Sequence, residues 1–205
     1  MTHNVNGLGD FKARKRYFNF MLKQKKDIIL LQETHSTEKD ESVWRNGVRS
    51  EIIFSHGTSM SRGVCIILRK TPDIKLLDSI KDAKGRFLLV KVEVNKKMYA
   101  ICNVYAPNNE KEQVDFLNKV ELTLQEYVDT KETLIIGGDF NLIQNLNLDR
   151  AGGSMKTVWN HSVNCIEQIK MCFGLVDIWR VRNPIKKYSH GVDITFWYNL
   201  DWISG

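Results

Sequence analysis

The sequence predicts a single α+β domain, and three observations lead to this fold class. Short apolar runs of strand length alternate with longer segments whose apolar residues recur at helical spacing. Hydrophobic residues make up 42% of the 205 residues, which allows a sizeable core. We find no internal repeat, low-complexity segment or linker, so we expect residues 1–205 to form one domain.

Three segments with apolar residues at helical spacing predict amphipathic helices. They are residues 11–25, 110–129 and 158–173. Gly174 is placed to cap the third helix. The lysines and arginines of residues 12–16 and 23–26 alternate with apolar positions, so we expect them to mark the exposed face of the first helix.

Short apolar runs predict the strands. Buried strands are expected at residues 27–31, 51–54, 63–68 and 133–136. Residues 86–94 alternate cleanly, a tight turn follows at 95–97, and residues 98–104 return, which predicts a hairpin. A further strand begins almost at residue 1, so we expect the N-terminus to be trimmed. Gly137 and Gly138 are expected to break the strand before them.

The composition limits the classes of partner that this protein is expected to bind. The formal net charge is +6 and the pI is near 9.1, which is compatible with a polyanion such as DNA. The four cysteines form no CxxC pair, which argues against zinc and favours buried free thiols. There is no signal peptide and no apolar run of membrane-spanning length, so we expect no membrane partner.

Polar residues follow each predicted buried strand. They are Asn4 and Asn6, which project to one face of an extended chain, then Glu33, Tyr105 with Asn108, and Asp139 with Asn141. Each alone is equally well explained as a polar turn. Together, oxygen ligands without a histidine cluster favour Mg²⁺ or Mn²⁺ over zinc. Such an ion, with a carboxylate that orients water, is what phosphodiester hydrolysis needs.

The same motifs, in this order, resemble those of the endonuclease/exonuclease/phosphatase superfamily. They are Asn4-Val5-Asn6-Gly7-Leu8, Gln32-Glu33-Thr34-His35, Tyr105-Ala106-Pro107-Asn108, Gly138-Asp139-Phe140-Asn141 and Leu200-Asp201-Trp202-Ile203-Ser204. The chain is most similar to the endonuclease domain of LINE-type retrotransposons, which is related to abasic-site endonucleases and exonuclease III. The resemblance covers nearly the whole chain, and the ordered set is more specific than any one tetrapeptide.

This resemblance implies a DNase I-like α/β fold with four layers, in which two mixed β-sheets pack face to face with helices outside. It also implies a divalent-metal DNA endonuclease that nicks to leave a 3′-hydroxyl. The matching positions imply metal ligands at Asn4, Asn6 and Glu33, catalytic roles for Tyr105, Asp139, Asn141 and Asp201, and DNA contacts at Asn108, Arg150 and Ser189. A monomer that acts in the nucleus is the further expectation.

Three departures from the family pattern qualify that expectation. Asn6 stands where abasic-site endonucleases usually have Asp, which favours nicking of the retroelement type. Before Asp201, the family usually has a serine-arginine pair, and this sequence has Tyr198-Asn199-Leu200 instead. The family's final strand, with its phosphate-binding Asp-His pair, is absent, and His190 is no substitute because it precedes Asp201. We therefore expect a domain that is incomplete at its C-terminus, with an unpaired sheet edge.

Three functional hypotheses remain open at this stage. The first is a metal-dependent endonuclease, either cut from a polyprotein with a reverse transcriptase behind it or decayed from one. The second is a catalytically dead remnant that binds nucleic acid through a basic surface. The third is a phosphatase on the same fold, against which the basic charge and the retroelement-like motifs argue.

Overall fold

The computed structural model describes residues 1–142, 161–185 and, for the backbone, 194–197. The strands are β1 (Thr2–Asn4), β2 (Ile28–Gln32), β3 (Ser50–Ser55), β4 (Val64–Arg69), β5 (Ile74–Lys81), β6 (Phe87–Val94), β7 (Lys97–Tyr105), β8 (Thr133–Asp139), β9 (Val176–Asp177) and β10 (Ile194–Trp197). The helices are α1 (Phe11–Gln24), α2 (Glu41–Gly47), α3 (Glu110–Tyr127), α4 (His161–Phe173) and α5 (Ile178–Arg182), with a 3₁₀ turn at Glu38–Asp40.

The strands form two mixed sheets. The small sheet has the order β1-β2-β4-β3, and only β1 and β2 are parallel in it. The large sheet has the order β5-β6-β7-β8-β10-β9, and among these described strands β7 and β8 are parallel while the other neighbours are antiparallel. Helix α1 connects the first parallel pair and α3 connects the second, as parallel neighbours require.

Three hydrophobic clusters show how the layers pack. The middle cluster lies between the sheets, where Leu30 and Ile66 of the small sheet meet Leu88 and Val90 of the large one. A second cluster packs the small sheet against α1 and α2 around Trp44. The third cluster packs the large sheet against α3 and α4. The molecule is thus an α/β/β/α sandwich, and the predicted fold is confirmed.

The prediction that the glycine pair breaks β8 was wrong. The strand continues through Gly137 and Gly138, which pair with Asn103 and Val104 on β7. A β-carbon on Gly138 would lie 2.0 Å from the carbonyl oxygen of Val104, and its φ is +145°. Gly138 therefore lets two parallel strands approach closely, and β8 continues to Asp139.

The predicted hairpin is confirmed, with a shorter turn. Only Asn95 and Lys96 lie between β6 and β7, with φ of 50° and 65°. Two residues at positive φ form the type I′ geometry that suits the twist of a hairpin. The alternation is also confirmed, because Leu88, Val90 and Val92 all face the middle cluster.

Other predictions missed elements or burial. The apolar pattern of the sequence predicts neither the short helix α2, which buries only Trp44, nor the strand β5, whose residues are at most partly buried. All four cysteines are free, but Cys172 is exposed, so the prediction of a buried thiol was wrong there. Among the described residues, none of the helices is both long and apolar enough to span a membrane.

Candidate active site

Two carboxylates and one amide meet where strands of both sheets end. Asn4 ends β1, Glu33 follows β2, and Asp139 ends β8. The Asn4 Nδ2 donates to Glu33 Oε1 at 2.8 Å and to Asp139 Oδ2 at 2.8 Å. The backbone N–H of Asn6 donates to Asn4 Oδ1 at 3.1 Å, which turns the amide nitrogen toward the carboxylates. One neutral side chain therefore joins the carboxylates of the two sheets.

The turn after β8 fixes the orientation of Asp139. The backbone N–H of Asn141 donates to Asp139 Oδ1 at 3.0 Å. The Asn141 Nδ2 donates to the carbonyl oxygen of Ala106 at 2.8 Å, and the Ala106 N–H donates to the Asp139 carbonyl at 2.9 Å. Asn141 has a φ of 49°, a left-handed conformation that asparagine tolerates well. Both oxygens of the Asp139 carboxylate are thus held by donors.

Tyr105, the last residue of β7, lies against the same carboxylates. Burial, a hydrogen bond to Glu33 and the negative charges of Glu33 and Asp139 raise the pKa of Tyr105 to about 12. The Arg86 guanidinium, whose Cζ lies 5.5 Å from the ring centroid, opposes that rise. The phenol is therefore protonated at neutral pH, and its one O–H donates to the Glu33 carboxylate.

Two neighbours of the site were not assigned a role by the sequence analysis. Arg86 donates from Nη1 to the carbonyl oxygen of Tyr105 at 3.3 Å, in addition to its position over the ring. His35 places Nε2 3.8 Å from Glu33 Oε2. A β-carbon at Gly7 would lie 2.8 Å from His35 Nδ1, so the glycine makes room for the imidazole. In the sequence, His35 is the last residue of the family motif Gln32-Glu33-Thr34-His35, but the motif alone assigned it no role.

A buried pair of amides joins the two sheets behind the site. Gln32 Nε2 donates to Asn103 Oδ1 at 2.6 Å and to Thr2 Oγ1 at 3.0 Å. Asn103 Nδ2 donates to the carbonyl oxygens of Leu31 and Cys65, each at 2.9 Å. Gln32 and Asn103 are completely buried. Because β1, β2 and β7 all lead into the site, this Gln32–Asn103 pair ties together the strands that position it.

A second buried amide holds the two loops of the large sheet. Gln113 on α3 donates from Nε2 to the carbonyl oxygens of Pro107, Phe140 and Asn141, at 2.8, 2.9 and 3.1 Å. Gln113 is only 3% exposed. The sequence shows only a polar residue in the first turns of a predicted helix, so nothing local indicated this role.

The structure brings together five of the predicted site residues: Asn4, Glu33, Tyr105, Asp139 and Asn141. Asn6 joins them through its backbone N–H, and its residue is exposed. Asn108 is exposed in the loop that follows β7. Arg150, Ser189, His190 and Asp201 lie outside the described residues.

The donor set fits a hard divalent cation with few protein ligands. Within the described part of the chain, no group of three or more His, Cys, Asp or Glu side chains is placed to hold a metal ion. Mg²⁺ is commonly bound through one or two carboxylates, and it keeps waters and substrate phosphates as its other ligands. Glu33 and Asp139 supply such carboxylates, and the Glu33 side chain is 23% exposed. The arrangement therefore suits magnesium better than a closed zinc site.

Comparison of the sequence with known families and proteins gives two matches. The model of the endonuclease/exonuclease/phosphatase family matches residues 1–192. A Xenopus laevis protein named transposon TX1 uncharacterized 149 kDa protein is 30% identical over 183 residues, which is 89% of this chain. The match spans only 14% of that protein's length.

Comparison of the structure with solved structures gives neighbours that share the fold. An AP endonuclease from Archaeoglobus fulgidus has a TM-score of 0.71 at 20% identity, covering 96% of this chain and 84% of its own. The Xenopus laevis APE2 catalytic domain has a TM-score of 0.74 at 15% identity, and the match covers 97% of this chain and 81% of that one. TDP2 of D. rerio, complexed with a single-strand DNA product, has a TM-score of 0.63 at 14% identity, and the match covers 98% of this chain and 84% of that one. At these identities the likeness concerns the fold.

Proposed function

We propose, because the chain belongs to the endonuclease/exonuclease/phosphatase family, that it is a divalent-metal-dependent DNA endonuclease of retrotransposon origin. The observation that carries this proposal is the Asn4 bridge between Glu33 and Asp139, which assembles two carboxylates at the ends of both sheets. The transposon protein among the relatives supports the origin, and the DNA-bound neighbour supports the substrate.

The proposed reaction is hydrolysis of one phosphodiester bond. Water attacks phosphorus and loses a proton, the bond to the 3′-oxygen breaks, and the 3′-oxygen takes up a proton from solvent, so that the products are a 3′-hydroxyl and a 5′-phosphate. Glu33 would hold Mg²⁺ or Mn²⁺, which when bound would offset negative charge on the phosphate. Asn4 and Asn6 are proposed as further ligands because the family motifs imply them, although in this structure the Asn4 amide nitrogen, not its oxygen, faces the carboxylates.

Asp139 is the group that orients the attacking water and accepts its proton in this proposal. The Asn141 N–H and the Asn4 amide fix one carboxylate oxygen each, so the carboxylate has a defined direction before substrate arrives. A base held in this way needs little reorganisation during the reaction.

Tyr105 is proposed to donate a hydrogen bond to the scissile phosphate. The phenol is protonated at physiological pH, and the hydrogen bond that it makes to Glu33 would be exchanged for one to the phosphate. Asn141 is proposed to stand beside it as an amide that supports the phosphate and Asp139. Asp201 is proposed to complete the catalytic set, and Asn108, Arg150 and Ser189 to contact DNA, as the family motifs imply.

The wider setting is also part of the proposal. The 149 kDa transposon protein among the relatives supports a longer parent protein. A reverse transcriptase in that parent protein and action in the nucleus are proposed from the family resemblance alone. We propose that the domain cuts as a monomer, which light scattering during size-exclusion chromatography would test.

A plasmid-nicking assay tests the activity. Supercoiled DNA is incubated with Mg²⁺ or Mn²⁺ and the wild-type chain, and with Glu33→Gln, Asp139→Asn and the double variant. We expect the wild type to produce open circles, and each single variant to lose about 100-fold or more in rate because one carboxylate is neutralised. Glu93→Gln and Glu167→Gln, on exposed or partly exposed carboxylates away from the site, serve as matched controls.

The ends of the nick identify the reaction. A DNA polymerase should extend the nick directly if it carries a 3′-hydroxyl. A folded wild-type chain that leaves plasmid intact with both metals, or hydrolyses only a small phosphomonoester, would contradict the proposal. The first result would favour the non-catalytic remnant and the second the phosphatase.

A further inference from the structure

The excess positive charge of this chain is concentrated on one helix. Residues 11–26, which comprise α1, its C-cap Lys25 and the next residue, hold seven of the 30 lysines and arginines and none of the 24 acidic residues. The rest of the chain therefore has 23 basic against 24 acidic residues and is close to neutral. The basic character seen in the composition is a property of α1.

Six of these seven cations are exposed, and together they define the α1 basic face: Lys12, Lys15, Arg16, Lys23, Lys25 and Lys26. The opposite side of the helix is buried through Arg14, Phe18 and Met21. Residues 12, 16, 19 and 23 follow one another at helical spacing along the outermost line. That line is about 16 Å long, from the rise of an α-helix.

The charges of this face are not neutralised within the described part of the protein, where none of the six cations forms an ion pair. The acids that flank the segment are engaged elsewhere. Asp10 caps α1 by accepting from the Ala13 N–H at 2.7 Å, and Asp27 pairs with Arg69 at 2.7 Å. Like charges at this spacing repel and weaken a helix, so an external polyanion would relieve them.

The position of the face relates it to the active site. Because β1 and β2 are parallel, α1 must begin at the edge where β1 ends and run back to the other edge. Arg14 Nη1 donates to the carbonyl oxygens of Leu8 and Gly9, at 2.8 and 3.0 Å, which ties the helix to the loop after Asn4. The α1 basic face thus starts beside the site and extends away from it.

We propose that the α1 basic face binds the phosphate backbone of double-stranded DNA, as a second contact separate from the active site. This inference rests on the proposed function, since it places flanking DNA on the helix that leads away from the site. A row of cations without acids matches a continuous line of phosphates.

The apolar residues of α1 favour DNA over a lipid surface. Phe20 and Leu22 are 45% and 58% exposed, but at helical spacing they lie on opposite flanks of the outer line. A helix that lies in a membrane interface turns a continuous apolar face toward the lipid. In α1 that face is already buried against the small sheet, as Phe18 and Met21 show.

The test compares two triple variants that each remove three charges. The first is Lys12→Gln, Arg16→Gln, Lys23→Gln on the α1 basic face. The control is Lys96→Gln, Lys97→Gln, Lys131→Gln, at exposed lysines where β7 and β8 begin, away from the site. Binding to a fluorescent duplex of about 30 base pairs is measured by anisotropy in EDTA, over a range of salt concentrations, so that no cutting occurs.

We expect the α1 variant to lower the slope of log affinity against log salt by about 2 to 3, since each phosphate contact contributes about 0.9. The control variant should leave the slope unchanged. Each α1 single variant should lower it by about 0.9, which guards against a folding defect in the triple. Glutamine keeps good helix propensity, and urea unfolding checks that the variants are folded.

Three results would overturn the proposal: an unchanged slope in the α1 variant, an equal drop in both triple variants, or loss of binding to phosphatidylserine vesicles with DNA binding intact. Its failure is distinguishable from failure of the proposed function. A wild type that binds DNA through α1 but never nicks refutes only the nuclease. A wild type that nicks with no dependence of binding on α1 refutes only this inference.

Discussion

At the scale of single residues, Asn4 decides how the two carboxylates lie. Its amide is the only group among the described residues that donates to both Glu33 and Asp139, and these carboxylates belong to different sheets. A neutral donor between two acids reduces their repulsion while leaving oxygen lone pairs for a cation. The chemistry of the site therefore depends on a residue that carries no charge.

Asn4→Asp should show that dependence in the stability of the protein. A carboxylate at this position cannot donate and adds a third negative charge, so we expect the free energy of unfolding in EDTA to fall by about 1–3 kcal/mol. Urea denaturation measures it, and Mg²⁺ should restore part of the loss. The control is Asn6→Asp, at an exposed residue, with an expected change within about 0.5 kcal/mol. Equal effects of the two substitutions would contradict the bridging role.

Tyr105 reports the negative charge of the same site. Its pKa is raised to about 12, so its contribution to stability is present below the unfolded pKa near 10 and is lost as the pH rises toward about 12. Glu33→Gln removes a neighbouring anion and should lower the pKa of Tyr105 toward 10. Tyrosinate absorbance, with Tyr105→Phe subtracted, measures this shift. An unchanged titration would show that Glu33 does not influence the phenol.

At the scale of elements, the site depends on how the two sheets are aligned. Apolar faces such as those of Leu30 and Leu88 pack well in more than one register, whereas hydrogen bonds between buried amides accept one geometry. Behind the site, Asn103 of the large sheet forms direct hydrogen bonds across this interface, to Gln32 and to the carbonyl oxygens of Leu31 and Cys65. Gly138 adds to it by letting β8 lie close to β7.

Asn103→Leu should destabilise the protein by about 2–4 kcal/mol, because it leaves the buried Gln32 amide with only Thr2 as a partner and removes the donor to the carbonyl oxygens of Leu31 and Cys65. The double variant Gln32→Met, Asn103→Leu replaces both amides by apolar groups and should lose less than the sum of the single effects by about 1–2 kcal/mol. Urea denaturation gives these energies. Additive losses would mean that the two amides do not act as a pair.

At the scale of the whole molecule, the four layers enclose three clusters that share strands. Cys65 lies in the cluster between the small sheet and its helices, and Cys102 in the cluster of the large sheet. Because the middle cluster joins the two sheets, we expect both outer clusters to unfold together. The distribution of charge also concerns the whole molecule, because the basic helix α1 lies on only one of the two outer layers.

Thiol labelling tests that cooperativity. Burial raises the pKa of Cys65 and raises that of Cys102 to about 12, so neither should react with iodoacetamide in the native state. The exposed Cys172 should react at once. With increasing urea, Cys65 and Cys102 should become reactive at the same midpoint, as measured by mass spectrometry of peptides. Two separate midpoints would show that the sheets unfold independently.

The sequence by itself determined the fold class, the family and the residues at the strand ends. Periodicity reports burial along one element, so the hairpin, α1 and α3 were predictable, and the ordered motifs located Glu33, Tyr105 and Asp139. It did not predict β5 or α2, whose burial pattern is weak.

Only the tertiary structure decided which of these groups touch. Asn4 and Asp139 are 135 residues apart in sequence, and Gln32 and Asn103 are 71 apart. A local pattern cannot show such a partner, because an Asn or Gln looks the same in sequence whether its side chain faces solvent or is buried against another sheet. The continuation of β8 through its glycines is the same case, since the carbonyl of Val104 that requires Gly138 lies on another strand. The arrangement of the site is therefore set by the packing of two sheets.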